Sequence, residues 1–353
     1  MTQNIIDVHT HYLPPKYVAA LKKHIPGNPD GWPTPSWSAA KTLHFNHEHH
    51  IAYSLLSLSS PHINFGDRSE TLDLARDAND FAADLHKKHP NEFGYLASLP
   101  LPYADASVQE INHALNNGAQ GFTVPTNSRG IYFGSPIMDS VYAKLNAEHA
   151  VVALHPNQPA QLPMNVNIDM PTPLMAFFID TTMTFMNLLR YHFFAKYPDI
   201  KLIIPHAGAF MGILADRDAL YTKENYQADM YAAMRHVYFD TAGAVFPRQL
   251  PMLLTLADEN HIMYGSDIPY TGSLAAGQLL QVIENGGKPA GDKRVAQVES
   301  AARYRSFLAR HPKTAKFNTL MDMELNMMQS AAILDDDLRS KILTTNASQL
   351  FNL

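Results

Sequence analysis

The sequence predicts an α/β fold, a TIM-type (β/α)8 barrel, and three observations carry that expectation. Short apolar runs alternate with helix-patterned stretches, eight such runs can be counted, and the polar residues that punctuate them fall at their C-terminal ends. A length of 353 residues suits one barrel with insertions, and an apolar fraction of 46% supplies its core. A doubly wound open sheet would carry a glycine-rich phosphate loop after its first strand. This chain has His-Thr-His-Tyr-Leu-Pro there instead.

The first strand is Ile5-Ile6-Asp7-Val8-His9-Thr10-His11. Alternation puts His9 and His11 on one face, as two imidazoles must be to share a metal ion. Asp7 has the same parity, either orienting the pair from one layer below or filling the buried face. Residues 12–38 crowd Pro, Gly and both tryptophans into one stretch, which reads as an ordered loop walling a pocket. With a short helix over 38–50 it forms a lid-like insertion, 12–50, after strand 1. The histidine-rich run 44–50 offers an i, i+3 pair, His47 and His50, but no ligand spacing follows it, and a solvated helix end explains it.

Strand runs then follow at 52–59, 93–99, 118–124, 150–154, 200–204, 237–239 and 262–264, mostly short and apolar as strands buried on both faces are. Between them the helical pattern covers 68–89, Ala104–Asn116, 136–149, 174–197, a helix containing Arg217, and 247–259. Residues 272–335 exceed what a closing unit needs and read as a helical insertion, with helices at 294–308 and 318–332. A terminal helix over 335–350 docks on the barrel. The whole, 1–353, reads as a single domain.

The chain has no cysteine, so a transition metal must be held by His and carboxylate groups. A net charge of -6 gives no bulk attraction for nucleic acid or anionic membranes and leaves small molecules as the expected partners. Neither a leader pattern nor an apolar run of membrane-spanning length is visible, so a cytoplasmic protein is expected.

In a barrel the strand C-termini converge on one face, where barrel active sites lie. That rule brings together His9 and His11 from the first strand, His155 from the fifth, His206 from the sixth and Asp267 from the eighth.

Asp-Val-His-Thr-His, Leu-His-Pro, Pro-His-Ala-Gly, Tyr-Phe-Asp-Thr-Ala-Gly, Tyr-Gly-Ser-Asp-Ile-Pro and Thr-Asn-Ala-Ser-Gln-Leu-Phe resemble the amidohydrolase superfamily. More narrowly they resemble the branch typified by aminocarboxymuconate-semialdehyde decarboxylase. The resemblance implies that His9, His11, His155 and Asp267 hold one divalent metal, while His206 and Asp267 act as acid/base groups. The fourth strand, Gly-Phe-Thr-Val-Pro-Thr-Asn, lacks a bridging Lys or Glu, which favours a mononuclear site. Zinc suits the ligand types and manganese is the alternative. The implied reaction is non-oxidative decarboxylation of a small aromatic or unsaturated carboxylic acid; the alternative is hydrolysis of a lactone, ester or amide by the same residues. The resemblance also implies a homodimer and aligns Arg217 with a residue that reaches a substrate carboxylate across the dimer interface, against a surface ion pair with Asp216 or Asp218. Arg129 is a second candidate. The early substrate-binding arginine of the type enzyme has no counterpart.

Overall fold

The computed structural model describes residues 4–159, 170–287 and 334–353. Eight parallel strands stand in chain order: β1 (Ile5–His11), β2 (Ile51–Ser57), β3 (Phe93–Ser98), β4 (Gly121–Pro125), β5 (Val151–His155), β6 (Lys201–Ile204), β7 (Val237–Asp240) and β8 (Ile262–Met263). Strand β8 is only two residues long, and the ring is closed by the segment that follows it. Val8 N–H donates to Tyr264 O at 3.0 Å, His11 N–H to Ile268 O at 2.7 Å, and Asp267 N–H to His9 O at 2.8 Å. This is the expected (β/α)8 barrel.

One layer of the core lies between strands and helices, where Phe93, Tyr95, Phe122, Val152, Leu202 and Phe239 meet the helices' apolar sides. A second joins Ile6, Val8, Leu55, Leu96, Val151, Ile203 and Met263 to Ala347, Leu350 and Phe351 of the C-terminal helix. That helix caps the N-terminal end of the barrel: Thr344 Oγ1 donates to Asn4 O at 3.1 Å, and Asn346 Nδ2 to Ile262 O at 2.8 Å. The opposite end, where the strands finish, is left for loops.

Helix α1 (Pro15–His24) occupies part of the stretch expected to be a loop. Pro15 opens it at a position where proline's missing N–H costs nothing, so the residues that read as breakers here mark a start. Helix α2 (Ala39–Glu48) begins as expected, capped by Ser38 Oγ accepting from Lys41 N–H at 3.3 Å. Helix α3 (Arg68–Lys88) is capped by Asp67, and α4 is Ala104–Asn116. After α5 (Asp139–Ala147), the apolar run over 174–197 divides into α6 (Thr172–Arg190) and a short turn of helix at Phe193–Lys196, because His192 is left-handed at φ 54°. Helix α7 (Met211–Tyr226) carries Arg217; α8 is only Gln249–Leu253, shorter than the expected 247–259; α9 is Ser273–Glu284. The expected helices at 294–308 and 318–332 lie outside the described residues. No helix among the described residues is long and apolar enough to cross a membrane.

Candidate metal and active site

Strand β1 does not alternate regularly. Its register on β2 shifts between Asp7 and Thr10, a one-residue bulge that breaks the parity linking Asp7 to the histidines. Among the described residues Asp7 makes no hydrogen bond to an imidazole ring. Its Oδ1 accepts the backbone N–H groups of His9 and Ser266, both at 3.1 Å, and its Oδ2 accepts Ser266 Oγ at 2.6 Å. Burial pushes its carboxyl up to about 7 despite those donors.

His9, His11 and His155 place one ring nitrogen each within 4.8 Å of one another, and His9, His206 and Asp267 do the same with one ligand atom each. His9 Nε2 is 3.1 Å from His11 Nε2, and Asp267 Oδ1 is 3.6 Å and 3.2 Å from those two atoms. Two ligand atoms on a cation about 2.05 Å away would be about 2.9 Å apart at a right angle and about 3.5 Å at 120°. The other nitrogen of each imidazole is held from outside. His9 Nδ1 lies 2.8 Å from Asp240 Oδ2, His11 Nδ1 3.2 Å from Ser57 O, and His155 Nδ1 2.8 Å from Pro156 O. With the three Nδ1 atoms held from outside, the three Nε2 atoms converge beside Asp267, where a proton on His9 or a bound cation offsets their repulsion; Ser59 Oγ also lies 3.3 Å from His155 Nε2. The residues fit a His/Asp metal site.

The electrostatics agree. Burial alone would depress His9, but Asp240 and Asp267 outweigh it and raise the imidazolium to about 10. Burial would raise Asp267, but hydrogen bonds from His11 and His9 hold it well below the usual carboxylate range. Burial lowers His11, and burial with the neighbouring imidazoles holds His155 well below its ordinary value. The cluster therefore takes one positive charge at its centre and refuses further protons.

His206 follows β6 on a left-handed backbone (φ 54°, ψ 48°), and Asp267 is also left-handed at φ 58°. Two bonds pin the His206 backbone: its N–H donates to Asp240 Oδ1 at 2.9 Å and its carbonyl accepts Gln249 Nε2 at 2.5 Å. Phe178 stacks on the ring at 5.8 Å. Burial and the charge at His9 lower its pKa to about 4, so the ring is neutral at pH 7.

These groups open into a cavity of about 590 Å³ lined by His155, His206, Asp267, Ser59, Ser60, Tyr270, Phe177, Phe178 and, from the 12–50 insertion, Pro29, Asp30, Trp32 and Thr34. Among the described residues no Lys or Arg lines it. Arg217 is exposed on α7 and away from this lining, and it forms no ion pair with Asp216 or Asp218. Arg129 donates to Gly66 O at 2.7 Å on the surface. In the histidine-rich run, His47 pairs with Glu92 at 3.0 Å and His44 lies 3.9 Å from Glu48, as a solvated helix end should.

Three residues escape a reading of the sequence. Asp240, at the end of β7, is the carboxylate that holds His9; its place at a strand end was the available signal. His62 is buried, at φ 60°, with its ring 5.2 Å from that of His155 and its Nε2 without a hydrogen-bond partner among the described residues. Asp30 reaches the cavity from a loop no periodicity describes.

Comparison with known proteins bears on this geometry. An amidohydrolase family model matches residues 6–353. A 6-methylsalicylic acid decarboxylase of Penicillium expansum is 30% identical over 313 residues, covering 86% of this chain and 95% of that protein. A solved structure described as an amidohydrolase II is 49% identical, covers 99% of this chain and 100% of the other, and superposes with a TM-score of 0.84. A dihydroxybenzoic acid decarboxylase of Polaromonas sp. JS666, solved with manganese and 2-nitroresorcinol, is 18% identical with a TM-score of 0.74 over 99% of this chain and 97% of that one, a likeness of fold. The chain belongs to the amidohydrolase family.

Proposed function

We propose that the protein is a metal-dependent carboxy-lyase that removes carbon dioxide from a small aromatic carboxylic acid. The observation that carries this is the pairing of a His/Asp metal cluster with a neutral, rigidly held His206 in one cavity otherwise built of aromatic and hydroxyl groups. The relative's activity on an aromatic acid, at 30% identity over 86% of this chain, supports the substrate class.

In this reading His9, His11, His155 and Asp267 hold one divalent ion, zinc by ligand type with manganese the alternative. The ion would supply positive charge for the substrate carboxylate in a cavity where no Lys or Arg among the described residues of this chain lines the wall. Phe177 and Phe178 flank a planar ring. His206 is neutral at rest; it takes a proton from solvent at a ring nitrogen and delivers it to the ring carbon bearing the carboxylate, after which the bond to the carboxylate breaks, its electron pair returns to the ring and carbon dioxide leaves. Asp267, held ionised, stabilises the protonated imidazole. The protein acts in the cytoplasm as a homodimer, with Arg217 serving the partner's cavity. The 12–50 insertion is the cavity's lid.

The test is carbon dioxide release from a panel of hydroxybenzoates by protein of known metal content, beside a panel of lactones and esters. Turnover of the acids is expected. Turnover confined to the lactones and esters would replace the lyase by a hydrolase on the same residues.

A further inference from the structure

Asp30 stands on a turn that is fixed in place. Its backbone is left-handed (φ 56°, ψ 18°), and Gly31, at φ +72°, lies so close to the start of α6 that an added Cβ would come within 3.1 Å of Pro171 Cα. The carboxylate faces the same cavity as His155, His206 and Asp267. The Ser60 hydroxyl, on the same cavity wall, lowers its pKa, but burial outweighs that effect. That hydroxyl also lies 3.0 Å from Asn157 Oδ1. One proton cannot satisfy both acceptors, so a carboxylate with four lone-pair positions is left short of donors. Among the described residues no Lys, Arg or His forms an ion pair with Asp30.

Tyr270 relates this group to the metal cluster. Its ring packs edge-on against His11 at 5.6 Å. Asp30, Tyr270 and Asp267 all line the one cavity of about 590 Å³, which places both carboxylates on the wall of the space one small aromatic acid would fill. Burial also raises Asp30 above the ordinary carboxylate range, an unfavourable state that a donated hydrogen bond offsets.

We propose that Asp30, with Ser60, is a specificity-determining acceptor: it receives a hydroxyl of the aromatic acid at a ring position away from the departing carboxylate, and it excludes a second carboxylate from that position. The proposal deepens the carboxy-lyase reading and rests on it for the orientation of the ring. A hydroxyl brings the missing donor, whereas a carboxylate meets like charge at Asp30, beside which no cationic side chain of the described residues of this chain lines the cavity.

The experiment is calorimetric binding to the metal-loaded protein of salicylate, its 3-, 4- and 5-hydroxy derivatives, and the corresponding 3-, 4- and 5-carboxy compounds. At least one hydroxy derivative is expected to bind about tenfold or more tightly than salicylate, the size of one hydrogen bond to a charged acceptor. That ratio falls to within about twofold of one in Asp30→Ala. The matching carboxy compound binds the wild type more weakly than salicylate and gains in Asp30→Asn, which keeps the shape and removes the charge. A preference that survives Asp30→Ala, the absence of any hydroxyl preference in the wild type, or no binding of any of these compounds overturns the proposal. Should Asp30→Ala fail to fold, Asp30→Asn with Ser60→Ala decides it by the same ratios. Carbon dioxide release is read separately on the same compounds. Binding preference without release removes the carboxy-lyase reading and leaves the acceptor site standing.

Discussion

Replacing Asp240 by Asn changes one atom, and the structure says what that atom does. Oδ2 accepts from His9 Nδ1 at 2.8 Å, while Oδ1 accepts the N–H groups of His206 at 2.9 Å and Ala242 at 3.0 Å. All three neighbours are donors, so an amide must turn its NH2 towards one of them in either orientation. Facing His9, it drives the ring to the tautomer protonated at Nε2, the atom that would bind metal. Facing the backbone, it sets a donor against two donors at the turn that carries His206. A hydrogen bond to a charged acceptor is worth about 1.5–3 kcal/mol, and outer partners of metal-bound histidines are worth about 10–100-fold in metal affinity. We therefore expect Asp240→Asn to weaken metal binding by about 10- to 100-fold, no less than Asp240→Ala, which at least admits water. The assay is competition against a chelator of known affinity with metal counted by elemental analysis, on variants whose far-UV circular dichroism matches the wild type. Metal affinity in Asp240→Asn within about twofold of the wild type would refute the assignment of His9's tautomer to Asp240.

His206→Asn should keep stoichiometric metal and lose about 10²–10⁴-fold in turnover, read as carbon dioxide release beside elemental analysis; lost metal would make His206 a ligand instead. Gly265→Ala should cost about 1–3 kcal/mol in urea unfolding and lower metal occupancy, because the new Cβ would come within 2.6 Å of His9 Cβ. His62 gives a pH effect. Burial and His11 lower its folded pKa to about 3, so between that value and about 6.5 the unfolded chain binds a proton that the folded one refuses. Its contribution is full above about pH 6.5 and falls as the pH drops, by about 1.4 kcal/mol per pH unit. Metal-free His62→Gln should thus lose less stability than metal-free wild type between pH 6 and pH 4, measured by urea unfolding at each pH; equal slopes would refute it.

The barrel was legible because both-face burial makes every strand an apolar run, and because a barrel's strand ends must meet. His9, His11, His155, His206 and Asp267 could therefore be gathered from positions far apart in the chain. What stayed hidden depended on local geometry that periodicity does not encode. Asp7 could orient the histidines or fill the buried face, and a register shift in β1 goes with the second, while Pro15 starts a helix where proline density suggests a loop. His192 broke a run that remained apolar on both sides of the break. Asp30 and His62 act from loops, and only the folded chain shows that Asp30 reaches the cavity and that His62 backs His155.

The closure of the barrel has a consequence for how the protein is made. Of the eight barrel strands β1 is made before the others, yet one of its edges stays bare until residues 264–268 arrive; the Asp7–Ser266 bonds alone span 259 positions. Those late bonds, Asp267 N–H to His9 O among them, are the ones that set a carboxylate against two imidazoles. A seam joined one residue out of register would carry the histidines to the wrong face, so a correctly zipped edge and a competent ligand set are a single event. A metal captured at that moment would lock the register, and amide protons at Val8, His11 and Asp267 become the place where hydrogen exchange would record whether the ring has been sealed.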